Sequence, residues 1–90
     1  MNAIAAQVSL YPLRQESLAR VIGETLQLFR ESALEVEPDT MSTLLVGDET
    51  TIFTALQQAF HYASEQGQVV MVVTLSNACP VPGESKARSM

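Results

Sequence analysis

Tryptophan is absent from this chain, cysteine occurs once, and only five of its 90 residues are basic. Each shortage removes a class of function. The lone Cys79 excludes an intrachain disulfide and any multi-cysteine metal site. Its neighbours Ala78 and Pro80 supply no acid or base, so a plain residue at a strand exit is expected rather than a nucleophile. Ten acidic residues against five basic ones give a net charge of −5. That balance disfavours binding to a phosphate backbone, where Lys and Arg supply the affinity, and argues against a nucleic-acid partner. No apolar run is long enough to cross a membrane. Residues 1–6 also lack the basic segment and apolar stretch of a signal peptide. A cytoplasmic protein without a membrane partner is the expectation.

What remains is apolar and ordered. Hydrophobic residues make up 47% of the chain and charged ones 17%, the composition of one small folded domain. It is expected over residues 1–78, with 79–90, rich in Pro, Gly, Ser and charge, as a flexible tail. Residues 3–11 alternate in the period of two of a strand, which Pro12 is expected to end. Gln15, Glu16 and Ser17 supply capping chemistry for a helix over 18–33, with Leu18, Val21, Ile22, Leu26 and Phe29 as its apolar stripe. Gly23 inside it serves close packing or is merely tolerated. Residues 34–37 alternate again, Pro38 and Asp39 signal a turn, and 41–46 resume an extended pattern. Asp48 suits the N-cap of a second helix over 52–63 that buries Ile52, Phe53, Leu56, Ala59, Phe60 and Ala63; Gly67 suits its C-terminal end. Residues 69–75 are β-branched and apolar on both faces, the mark of a strand covered on both sides.

Strand-helix-strand twice over, with a tight hairpin in the middle, predicts an α+β, ferredoxin-like βαββαβ sandwich. Right-handed crossovers give sheet order 4-1-3-2 with both helices on one face. Parity then sorts the side chains. Ile4, Ala6, Val8, Leu10, Met41, Thr43, Leu45, Val69, Met71, Val73 and Leu75 should face the helices. Gln7, Ser9, Tyr11, Ser42, Leu44, Val46, Val70, Val72, Thr74 and Ser76 should line the open face, with no charge in the strands. Two helices cannot cover both faces. Val70, Val72, Leu44 and Val46 should therefore form a contiguous apolar patch that a second copy or a partner covers.

The open face mixes apolar area with hydroxyls and amides, which suits an uncharged ring as well as it suits a dimer interface; both can hold at once. It lacks the acids, bases and ligands of a catalytic or metal-binding face, so no enzyme and no cofactor are expected. Other functions of this fold fail on particular residues. No Cys-x-x-Cys pair follows strand one, as a metal carrier needs. Tyr11 alone resembles the stacking aromatics of an RNA-recognition sheet, and Arg14 lacks the glycines of a phosphate loop. His61, off the apolar stripe and expected to lack a nearby carboxylate, reads as a surface residue.

Three segments in register carry a resemblance. Residues 7–13 (QVSLYPL), 42–48 (STLLVGD) and 70–76 (VMVVTLS, continuing to Cys79 and Pro80) resemble the YkoF-type thiamine/hydroxymethylpyrimidine-binding proteins and their single-domain relatives. The similarity runs from about Ala3 to Pro80. The single-domain relatives carry an acid at the position of Val46 and charges at those of Val70 and Val72, where this chain is apolar. The resemblance implies non-catalytic binding of thiamine or its hydroxymethylpyrimidine moiety, in uptake, buffering or salvage. It also implies a homodimer or homotetramer joined through the sheet face. The residues expected at the ligand are Gln7, Ser9, Tyr11, Ser42, Thr43, Thr74 and Ser76. Thr43, with Ser9 and Thr74 on adjoining strands, would read the pyrimidine edge, unless its hydroxyl bonds a backbone carbonyl instead. Few basic residues favour the unphosphorylated ligand. An ACT-like regulatory or structural module working as an oligomer is the alternative.

Overall fold

The computed structural model describes residues 3–14, 18–39 and 42–78. The elements run β1 (Ala3–Leu13), α1 (Leu18–Glu31), β2 (Glu35–Pro38), β3 (Thr43–Asp48), α2 (Glu49–Gln66) and β4 (Gln68–Ser76). The four strands form one antiparallel sheet in the order β2-β3-β1-β4. That is the expected 4-1-3-2 order read from the other edge. Met41, the residues assigned to the first helix cap and the segment from Cys79 onward lie outside the described residues.

Register confirms the parity. Ala6 pairs with Leu45 and Leu75, and Val8 with Thr43 and Val73, so these residues share one face. Ile4, Ala6, Val8 and Leu45 join Phe29 of α1 and Ile52, Ala55, Leu56 and Ala59 of α2 in one buried cluster, which puts both helices on that face. Leu75 belongs to the same face but stays 43% exposed, because the helices cover β4 only as far as the half-buried Met71 and Val73.

Several expectations at the element level are corrected. β1 does not stop at Pro12 but continues to Leu13. Among the described residues it pairs only with β4 past Val8, and such an edge tolerates a residue without an N–H. Pro38 ends β2 rather than opening a turn. α2 buries Ile52, Leu56, Ala59 and Ala63 as expected and adds Ala55 to the same line. Phe53 and Phe60 sit about 80–100° around the helix from that line, and both are nearly half exposed rather than buried.

On α1, Val21, Thr25 and Phe29 form the buried line, while Leu18 and Ile22 stay exposed. Gly23 has open space where a side chain would project, so tolerance and not close packing explains it. Asp48 caps α2 as expected, its carboxylate accepting the Thr51 N–H at 3.2 Å.

The open face also departs from expectation. β2 brings Glu35 and Glu37 onto it beside Val46 and Leu44, so the face is not free of charge. Val46 and Ala5 are buried there. Val70 and Val72, 46% and 51% exposed, lie on β4 beside Tyr11 and Ser9 of β1. Leu44 is two strands away beyond Gln7. The apolar surface is therefore a Val70–Val72–Tyr11 strip and not a patch reaching Leu44 and Val46.

Candidate functional site

The half of β1 beyond Val8, paired with β4 on one side, borders a cleft on the helix face. Beyond Val8 no β3 residue lies beside β1, and α1 crosses above with Leu18 and Ile22 uncovered. A hollow of about 440 Å³ results, within the range of small-molecule sites. Its floor is Val8, Leu10, Tyr11, Pro12 and Leu13; its roof is Leu18, Ile22, Thr25, Leu26 and Phe29; Pro38, Asp39, Ser42 and Thr43 of the hairpin close one end. The exposed leucine and isoleucine of α1 thus line a concavity. Arg14, at φ 55°, turns the chain in the left-handed region just after β1.

The walls are apolar and the polar groups few. Thr25 is 3% exposed, and its Oγ1 has no hydrogen-bond partner. Thr43, half-buried on β3, adds a second hydroxyl. The Ser42 hydroxyl accepts from Gln7 Nε2 at 3.1 Å, and the Asp39 N–H donates to the Ser42 carbonyl at 2.7 Å, closing the hairpin turn. Asp39 is the one charged side chain among the described lining residues. With no cation among the described lining residues, the cleft suits a neutral or cationic ring better than a phosphate.

The structure divides the seven residues singled out in the sequence. Tyr11, Ser42 and Thr43 line the cleft. Gln7 reaches it only through its bond to Ser42. Ser9, Thr74 and Ser76 pair with Val72, Gln7 and Ala5 on the open face, and the Ser76 hydroxyl accepts the Ala78 N–H at 3.0 Å. Ser9 and Thr74 therefore cannot converge with Thr43 on one ring, because successive strand residues point to opposite faces. Thr25 was missed. Its signal was a polar residue at helical spacing from Val21 and Phe29, on the stripe that faces the sheet.

A second hollow of about 490 Å³ lies on the outer side of α2 beside Phe60, Gln57, His61 and Ser64. It has no buried polar group. His61 does have a carboxylate neighbour, contrary to expectation: Glu65, one turn on, lies 3.2 Å from its Nε2, and both side chains are well exposed. Among the described residues no group of three or more His, Cys, Asp and Glu could hold a metal ion. No described helix is long and apolar enough to cross a membrane.

Known proteins share this architecture. The UPF0045 protein MJ1052 of Methanocaldococcus jannaschii is 32% identical over 60 residues, which are 66% of this chain and 60% of that protein. The matched segment thus spans about three-fifths of that relative's length. A crystal structure of MJ1052 superimposes with a TM-score of 0.86 at 24% identity, over 99% of this chain and 98% of that one. The proposed thiamine biosynthesis/salvage protein TM0486 of Thermotoga maritima gives 0.83 at 12% identity, over 98% and 99%. These two structures establish a shared fold. Residues 3–82, nearly the whole chain, match the sequence model of the YKOF-related family, and the chain belongs to that family.

Proposed function

We propose that this protein binds thiamine or its hydroxymethylpyrimidine moiety without catalysis, in the cleft between β1, α1 and the hairpin. The observation that carries the reading is an apolar cleft in which the one buried polar side chain among the described lining residues, Thr25, has a hydroxyl without a partner. An aminopyrimidine offers ring-nitrogen acceptors and an amine donor that threonine hydroxyls match without net charge. The thiazolium of thiamine is cationic, and Asp39 at the cleft suits such a charge. Membership of the YKOF-related family and the fold shared with TM0486 support the same ligand class. Association of copies through the Val70–Val72–Tyr11 strip belongs to the same proposal, as does a role in uptake or salvage.

Calorimetric titration with thiamine, hydroxymethylpyrimidine, thiamine pyrophosphate and a panel of amino acids tests the reading. Saturable binding of thiamine or its pyrimidine, weaker for the pyrophosphate, is expected. Binding of an amino acid, with no heat from either thiamine ligand, would mark an ACT-like regulatory module instead.

A further inference from the structure

Thr25 occupies a position where an apolar side chain would be the simpler choice. It lies on the buried line of α1 between Val21 and Phe29 and is 3% exposed. Its hydroxyl makes no hydrogen bond, not even to the carbonyl of the preceding turn that helical threonines commonly take. Leaving such a group unpaired costs the folded state its whole desolvation penalty. The other hydroxyl buried without a partner, that of Tyr62, is not part of the cleft lining. Among the described residues Thr25 alone combines burial, an unpaired hydroxyl and a place in the cleft wall.

We propose that Thr25 is the specificity-determining residue of the cleft. Its hydroxyl completes its hydrogen bonding on the polar edge of a flat, uncharged heterocycle, while Leu26, Phe29, Val8 and Leu10 hold the ring. This rests on the ligand class proposed above and adds the residue that selects it. A hydroxyl donates and accepts by rotating, so it can meet either the ring nitrogen or the amine of an aminopyrimidine. A hydrocarbon ring of the same outline would fill the volume and leave the oxygen unpaired. That penalty is how a polar site rejects an isostere. Thr43, at the hairpin end, supplies a second hydroxyl, so the discrimination is shared between the roof and that end.

Thr25→Val keeps the shape and removes the hydroxyl; Thr25→Ser keeps the hydroxyl. Two quantities are measured on the full chain: the Tm of the ligand-free protein, and the Kd values for hydroxymethylpyrimidine and for its carbocyclic analogue with CH in place of each ring nitrogen and methyl in place of the amine. Thr25→Val should raise the ligand-free Tm, by on the order of 5 °C, because an unpaired polar group is gone. It should also reduce the preference for the pyrimidine over the carbocycle by about three- to tenfold. Thr25→Ser should keep that preference. A lower Tm for Thr25→Val would show that the hydroxyl is satisfied inside the fold, and an unchanged preference would show that it does not select; either overturns the proposal while leaving the ligand reading intact. Failure of the wild type to bind hydroxymethylpyrimidine or thiamine overturns both.

Discussion

Gly23 stands inside α1 with nothing within 4 Å of where a Cβ would be. Gly23→Ala should therefore stabilise the fold by about 1 kcal/mol through helix propensity alone, a rise of roughly 4–8 °C in Tm for a domain of this size. Gly47 is the opposite case: a Cβ there would come to 2.5 Å from Leu34 Cδ2 and 3.5 Å from the Ala33 carbonyl oxygen. Gly47→Ala should lower the Tm, because Leu34 must give up its contact with the core to make room. Thr43 tests the site. Thr43→Val should fold as the wild type does and bind thiamine or its pyrimidine more weakly by ~0.5–1.5 kcal/mol, up to about tenfold in Kd. Equal affinity in titration would make Thr43 a structural residue. The two glycines could not be told apart in the sequence, because what separates them is the distance to Leu34, a contact between β3 and the segment after α1.

At the scale of elements, local chemistry was readable and partner-dependent choices were not. Asp48 and Gly67 bracket α2 as their residue types require, since a cap acts on the adjacent turn alone. Asp48→Ala should cost about 1 kcal/mol of stability, seen as a lower urea midpoint at unchanged slope. An unchanged midpoint would mean that the Thr51 N–H finds another acceptor. By contrast, which side of α2 faces the sheet was misread for Phe53 and Phe60. Hydrophobicity favoured the phenylalanines, but they lie to the side of the line that Ile52, Leu56, Ala59 and Ala63, all expected, bury with Ala55. β1 overran Pro12 as well: proline stops a central strand, and here the strand runs on to Leu13 in pairing with β4, with no described β3 residue on its other side. The cleft follows from that overrun. Alternation along single strands predicts which face a side chain takes, but a cleft needs the offset between β1 and β3, set by the hairpin as much as by either strand.

At the scale of the whole molecule, both helices cover one sheet face, and no described element covers the other. That second face carries exposed Val70, Val72 and Tyr11 on one side and Glu35 and Glu37 on the other. A charge placed within the apolar strip should oppose association: Val72→Lys is expected to shift an oligomer toward monomer in sedimentation. A wild-type monomer at micromolar concentration, with no change in the variant, would contradict pairing through this face. Alternation gave the open face for Gln7, Ser9, Thr74 and Ser76 and the helix face for Thr43, as the register has them, but Thr43 was grouped with Ser9 and Thr74 because hydroxyls on adjoining strands were read as neighbours regardless of side. The most direct test of the whole account is to locate the ligand. In an NMR titration with thiamine, the methyl groups of Thr25, Thr43, Val8, Ile22 and Leu26 should shift together and saturate, while those of Val70, Val72 and Thr74 stay in place. Shifts confined to Val70, Val72 and Thr74 would put the ligand on the open face and contradict the cleft.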